Sequence, residues 1–394
     1  MRYDAAMKNT MIEKTARELL GGMPVSQFLQ EYWQKKPLLI RQAIPGFSGL
    51  LGPEELAGLA CEETVQSRLV SNMRGKWLVE DGPFDESRFL KLPEKDWTLL
   101  VQGVNHYLPE ADDLLRRFSF IPYARLDDLM VSYAPDGGGV GPHFDSYDVF
   151  LLQGHGKRLW RVSSQQDLTL IEGAPLRILQ DFQTEQEWLL EPGDMLYLPP
   201  HIAHWGIADG DCMTYSIGFR APSAHELISE FLNYLQEKTV MQGIYADPDL
   251  TLQQHPAQIS DNMLDKVGRM LQDMQWGRED VVRFLGRYLS EPKSHVWFEA
   301  SARLNEAAFR SRLQQEGIVL DLRSQLLFHE ETFFMNGEET TVPAFACPPL
   351  QQLADSRALQ PGMELDASLM AKLYDWYLAG YLHFAMNEDD SDHG

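Results

Sequence analysis

Two hydrophobic periods divide the chain. Between residues 129 and 220, apolar and polar positions alternate over short stretches. Turn-forming runs break them at Pro135-Asp136-Gly137-Gly138-Gly139, Gln153-Gly154-His155-Gly156 and Glu191-Pro192-Gly193-Asp194. Alternation puts successive side chains on opposite faces of a strand, so many short strands between Gly/Pro turns predict a small barrel or sandwich. Beyond Arg220 the period becomes helical. Ser223 with Glu226 three residues on is a capping box, and Leu227, Ile228, Phe231, Leu232 and Leu235 share one face. A second face runs Met263, Leu264, Val267, Met270, Leu271, Met274. Each face needs a cover, either the barrel or a second copy of the chain.

The flanking regions complete a four-part division. Residues 1–25 read as a helical lead-in without functional signal. Residues 26–222 form the β-rich unit, which begins with mixed short elements, a helix near 53–60 and a strand at Trp77-Leu78-Val79. Residues 223–292 are the helical region. In residues 293–394 a helix precedes strands at 318–322, 325–329, 332–335 and 340–342, and a final helix follows. Asn336-Gly337 between two of these strands is a hairpin signal, and helix followed by hairpin outlines a winged helix. The run Glu388-Asp389-Asp390-Ser391-Asp392 reads as a solvated acidic tail.

Composition narrows the partners. The 394 residues carry 34 Lys+Arg against 58 Asp+Glu, a net charge of −24, which repels phosphate backbones and attracts basic proteins. From residue 301 onward six basic residues face fifteen acidic ones, so the winged-helix outline lacks the basic stripe of a DNA reader and reads as a protein-interaction module. A hydrophobic fraction of 44% with 11% aromatics excludes a wholly disordered chain. No apolar run approaches the length of a membrane span, and residues 1–10 lack the apolar core of a secretory signal. Cys61, Cys212 and Cys347 are odd in number and far apart, which excludes a disulfide framework and predicts reduced thiols in the cytoplasm.

The candidate chemistry lies in Gly141-Pro142-His143-Phe144-Asp145. On a strand, residues two apart face the same way, so the His143 imidazole and the Asp145 carboxylate converge. A distant histidine would complete a two-His-one-carboxylate triad, which leaves three positions of an octahedral Fe(II) open. None of the other ten histidines has Asp two residues later. His201 and His204 follow the turn, strand and diproline stop at 190–200. His204, before Trp205-Gly206, is the preferred third ligand, with His201 at the rim.

These segments together resemble the JmjC-type 2-oxoglutarate oxygenases, and within them the bacterial ribosomal oxygenases. The resemblance rests on Gly-Gly-Gly-Val-Gly-Pro-His-Phe-Asp-Ser-Tyr-Asp-Val-Phe at 137–150, Gly-Lys-Arg-Leu-Trp-Arg-Val at 156–162, Glu-Pro-Gly-Asp-Met-Leu-Tyr-Leu-Pro-Pro at 191–200 and Tyr-Ser-Ile-Gly-Phe-Arg-Ala-Pro at 215–222. It is looser at Trp33-Gln34-Lys35-Lys36-Pro37 and in the C-terminal half, and does not reach residues 1–25. It implies a mainly β core with α elements: a double-stranded β-helix, then a helical dimerisation region and a winged-helix-like domain. It also implies Fe(II) on His143, Asp145 and His204, with 2-oxoglutarate and O₂ converted to succinate and CO₂ as an arginine of a large-subunit ribosomal protein is hydroxylated. Arg158 takes the far carboxylate of 2-oxoglutarate, which must be neutralised inside the barrel. Lys157 next to it faces outward. Ser132 is a second candidate for that carboxylate, and Tyr215 or Ser216 for the pocket lining. An arginine substrate calls for a carboxylate at the mouth: Asp136 is the candidate, with Tyr147 and Asp148 at the rim. The competing classes are a cupin-type metal-dependent isomerase, which would need further His or Glu ligands, and a non-catalytic binding module, which would need a broken triad.

Overall fold

The computed structural model describes residues 5–73, 75–238, 244–272, 274–301 and 304–385. The acidic stretch 388–392 lies outside the described residues. Helices α1 (Ala5–Leu19) and α2 (Val25–Glu31) precede strand β1 (Leu38–Ile40). Helix α3 (Pro53–Leu59) starts on a proline, whose missing N–H has no partner to lose in a first turn. Strands β2 (Ser67–Met73) and β3 (Lys76–Asp81) form a hairpin, followed by α4 (Glu86–Phe89), β4 (Trp97–Val101) and α5 (Pro109–Arg116). Then come β5 (Leu126–Ala134), β6 (Val149–Ser163), β7 (Gln186–Leu190), β8 (Met195–Leu198) and β9 (Ala203–Phe219). All nine strands join one antiparallel sheet in the order β1-β8-β6-β9-β5-β4-β2-β3, with β7 also on β6.

Strands β6 and β9 are the frame. The first half of β6 pairs β8 on one side and β9 on the other, and its second half pairs β7 and β9. Between the halves the register slips twice, at Gln153/His155 and at His155/Lys157. Such bulges bend a strand, and here they fold the sheet over on itself. The Gln153-Gly154-His155-Gly156 run, expected as a turn between two strands, is therefore the bend inside one 15-residue strand. Glycine is what allows it. A Cβ on Gly154 would stand 2.4 Å from the Tyr215 ring, and one on Gly156, at φ 60°, 1.9 Å from the Asp211 carbonyl oxygen.

Alternation along β6 separates two environments. Phe150 and Leu152 enter the outer core with Phe28, Tyr197, Tyr215 and Phe219, which the lead-in joins through Leu19 and Leu20. Val149, Leu151 and Trp160 face the barrel interior. At these positions both faces of β6 are covered.

The helical region comprises α6 (Ala224–Lys238), α7 (Asp261–Gln272) and α8 (Arg278–Ser290). The capping box forms: the Glu226 N–H donates to Ser223 Oγ at 3.1 Å and the Ser223 N–H to the Glu226 carboxylate at 3.4 Å. The apolar face of α6 is split. Phe231 packs on Phe284 of α8 at 5.2 Å and Leu235 is buried, while Ile228 and Leu232 stay exposed. Helix α7 buries none of its residues.

The C-terminal unit holds α9 (Glu306–Glu316), β10 (Ile318–Leu320), β11 (Leu326–His329), β12 (Thr332–Met335), β13 (Glu338–Thr341), α10 (Cys347–Ser356), β14 (Ala358–Leu359), α11 (Ala367–Leu378) and β15 (Leu382–Phe384). Strands β11 to β13 form a meander whose Asn336 and Gly337 both have positive φ, as the expected hairpin turn demands. Phe309, Leu350, Leu373 and Trp376 centre a separate core. The unit docks on the barrel through Arg357. Its Nε lies 3.2 Å from Asp112 of α5, and its other nitrogens donate to the Ser324 and Asp321 carbonyls. Among the described residues no helix is long and apolar enough to cross a membrane.

Candidate functional site

His143 and His204 are joined backbone to backbone. Each N–H donates to the other's carbonyl, at 2.9 and 2.8 Å, in a bridge isolated from the main ladder. The segment carrying His143 and Asp145 is thus not a strand of the sheet, as expected, but an extended approach pinned at one residue. The convergence survives because the His201 N–H also donates to the Asp145 carbonyl at 2.7 Å. His204 Nε2 lies 3.5 Å from Asp145 Oδ2 and His143 Nε2 4.0 Å from it. Among the described residues these three make the cluster that could hold a metal ion, with their ligand atoms all within 4.8 Å.

Both tautomers are set by the backbone. Nδ1 of His143 donates to the Gly141 carbonyl and Nδ1 of His204 to the Ile202 carbonyl, each at 2.9 Å. A carbonyl only accepts, so Nδ1 carries the proton and both Nε2 lone pairs face the cluster. Burial, reinforced by His143, brings His204 down to about 4, so its imidazole stays neutral as a ligand requires. Two imidazoles presenting Nε2 and a carboxylate, all within 4.8 Å of one another, suit a divalent ion such as Fe(II).

Behind the triad lies an inner cavity of about 300 Å³. Arg158 enters it from β6, 5% exposed, with Nη1 3.5 Å from Ser132 Oγ. Its Nε and Nη2 are buried without a partner. Orphaned guanidinium N–H groups at such depth are costly, and a small dicarboxylate reaching from the metal would satisfy both. The donor set therefore fits 2-oxoglutarate. Lys157 faces out and pairs with Glu191 at 2.7 Å, as period 2 demands. Gly139 sits where a Cβ would meet the Gly206 carbonyl oxygen at 2.3 Å, so the glycine run closes the cavity wall. A wider outer groove of about 720 Å³ shares His143, Asp145 and Tyr147 with the inner cavity.

The remaining expected residues divide. Ser132, Ser216 and Tyr147 line the inner cavity. Burial, with Asp145 beside it, pushes the Tyr147 phenol well above its ordinary range, so it stays protonated. Tyr215 turns to the outer face, where its hydroxyl accepts the Leu50 N–H at 2.7 Å. His201 is exposed at φ 65°, its ring 6.0 Å from that of Phe144. Asp136, expected at the mouth, stands exposed in its turn, where its carboxylate accepts the Gly210 N–H at 3.2 Å. Asp148, expected at the rim, is fully buried. It accepts from the Tyr197 hydroxyl at 2.7 Å and Gln34 Nε2 at 2.9 Å, tying the residue-34 turn to the barrel.

Sequence reasoning missed two further carboxylates that line the cavity, Asp127 and Asp128. A bulge between Leu126 and Leu129 turns this pair toward it. Burial raises Asp128 above the usual carboxylate range, and Lys293, 3.7 Å away, is the strongest influence pulling it back. Bulge position has no signature in the residues, and Lys293 comes from a connector remote in sequence.

A folded-over antiparallel sheet carrying a His-Asp-His triad beside a buried arginine is the arrangement of the JmjC class, and the JmjC domain model matches residues 113–227. A ROXA-like winged-helix model matches residues 269–383. The chain is 41% identical over 272 residues to the ribosomal protein uL16 3-hydroxylase of Escherichia coli K12, covering 68% of this chain and 72% of that protein. It is 34% identical to a probable ribosomal oxygenase of Haemophilus influenzae over 79% of this chain and 80% of the other. The structure of YcfD, a ribosomal oxygenase from Escherichia coli, in complex with cobalt and 2-oxoglutarate superposes with a TM-score of 0.79 at 36% identity, over 91% of this chain and 97% of that one. The chain belongs to the JmjC-domain ribosomal oxygenase family.

Proposed function

We propose that this protein is an Fe(II)- and 2-oxoglutarate-dependent oxygenase that hydroxylates an arginine side chain of a large-subunit ribosomal protein. The observation that carries the reading is the buried Arg158 guanidinium, with two unsatisfied nitrogens, in a small cavity beside an open triad. When bound, Fe(II) and 2-oxoglutarate supply the oxidation, in which O₂ yields succinate, CO₂ and one hydroxyl on the substrate. His143, Asp145 and His204 hold the metal. Arg158, with Ser132 beside it, anchors the far carboxylate of the cosubstrate. Val149, Leu151 and Trp160 exclude water from the chamber.

The substrate enters through the outer groove, which shares His143, Asp145 and Tyr147 with the inner cavity. Asp128 is the carboxylate we assign to the substrate guanidinium, in place of Asp136, because it lines the inner cavity and is the more buried of the Asp127–Asp128 pair. The Tyr147 ring offers an aromatic surface to the same group. The name of the Escherichia coli relative supports a ribosomal protein modified at carbon 3. The net charge of −24 favours a basic partner, and the acidic C-terminal region a protein rather than DNA. The exposed faces of α6 and α7, Ile228, Leu232, Met263, Leu264, Val267 and Met270, support a homodimer. The test is mass spectrometry of ribosomal proteins incubated with enzyme, Fe(II) and 2-oxoglutarate. One added oxygen on an arginine is expected. 2-Oxoglutarate left intact in the presence of ribosomal protein would overturn the oxygenase reading and return the cupin-type isomerase.

A further inference from the structure

One side of the inner cavity holds a linked set of charges. Lys293 Nζ lies 3.1 Å from Asp127 Oδ1 and 3.7 Å from Asp128 Oδ2, and Arg220 Nε lies 3.4 Å from Asp127 Oδ1. Two carboxylates thus face two cations. Lys293 comes from the connector between α8 and α9, outside any helix or strand, and lines the same cavity as the triad. Resting on the assignment of an arginine substrate, we infer that Lys293 is a placeholder cation, which occupies the carboxylate pair in the free enzyme and leaves when the substrate guanidinium arrives.

Charge balance requires a departure. Two cations already face the two carboxylates before substrate binds, so a further cation would enter without a partner of its own, which a partly buried wall penalises. Of the two resident cations, Arg220 is fixed. Its Nη1 donates to the Leu289 carbonyl at 2.7 Å, its N–H to the Arg125 carbonyl at 2.6 Å, and its own carbonyl accepts Arg125 Nε at 2.7 Å. Lys293 is the movable one. Its side chain is 35% exposed, so the ammonium can swing into water on a flexible four-carbon stem. Asp128 does not move with it, because its Oδ2 accepts the Gly103 N–H at 3.1 Å. While in place, Lys293 offsets part of the upward shift that burial imposes on Asp128. The placeholder also discriminates. A neutral side chain cannot displace it without stranding a buried charge, whereas a guanidinium replaces one ammonium contact with a forked pair of hydrogen bonds.

The exchange fixes the sign of two variants. Lys293→Met keeps the stem and removes the competing charge. It should tighten binding of Escherichia coli uL16 to the metal-free protein, read by titration calorimetry, and lower the KM for uL16, each by about threefold to fivefold. Lys293→Arg installs a better-matched occupant and should move both the other way. A purely structural ion pair predicts weaker binding for Lys293→Met, so that result, with arginine hydroxylation by the unmutated enzyme intact, overturns the exchange alone. If the unmutated enzyme places oxygen on a residue other than arginine, the substrate assignment falls and the exchange with it.

Discussion

Replacing Arg158 by Met should move two properties in opposite directions. Met keeps much of the stem volume and removes the guanidinium, whose Nε and Nη2 are buried without partners. In the ligand-free protein those orphaned groups cost about 1–3 kcal/mol each. The melting temperature of the metal-free variant should therefore hold or rise. With cosubstrate present the sign reverses, because the far carboxylate of 2-oxoglutarate loses a buried charge partner. Breaking such a pair costs about 3 kcal/mol or more, about two orders of magnitude in affinity. At a cosubstrate concentration about 1,000 times the unmutated Kd, ligand stabilisation should drop from about 4 kcal/mol to about 1.4 kcal/mol. Thermal unfolding with and without 2-oxoglutarate measures both halves, and the KM for 2-oxoglutarate, from succinate release, checks the second. A KM within about threefold of the unmutated value would refute the role of Arg158. A large fall in ligand-free stability would refute the reading of its nitrogens as unsatisfied.

Four further outcomes are expected. His143→Ala, Asp145→Ala and His204→Ala should each abolish succinate formation, whereas His201→Ala should retain it; the reverse for the two distal histidines would reassign the third ligand. Leu232→Glu combined with Met270→Glu should split a homodimer by placing carboxylates in an apolar contact, and a monomeric mass by light scattering for the unmutated protein would remove the dimer. Turnover on the ribosomal protein should fall as salt rises while the iron chemistry persists, and a salt-independent KM would exclude recruitment by the acidic surface. Asp112→Ala should strand the buried Arg357 guanidinium, which burial already draws down to about 10, and lower stability by about 3 kcal/mol in chemical denaturation; an unchanged midpoint would show the contact between barrel and C-terminal unit to be dispensable.

What residues alone determine here is local chemistry with a short period. His143 and Asp145 need two residues of extended chain to converge, and they do so even though the segment carries one bridge rather than a ladder. Arg158 and Lys157 part to opposite faces because a strand has period 2, wherever it sits in the sheet. Ser223 and Glu226 cap α6, and Asn336-Gly337 turns its hairpin, because both motifs close within a few residues. Longer-range choices belong to the tertiary structure. Gly154 and Gly156 read as a turn in sequence, but Tyr215 and the Asp211 carbonyl lie against them only after β9 has paired with β6, and that packing makes the run a bend within one strand. Asp136 and Asp128 are both acidic residues near a glycine-rich segment. The first holds the Gly210 N–H of β9 from an exposed turn, while a bulge whose position depends on the pairing of β5 with β9 aims the second toward the cavity. Lys293 joins the site from a connector some 150 residues beyond His143, because docking of the C-terminal unit brings back to the barrel a residue that no local pattern could assign to it.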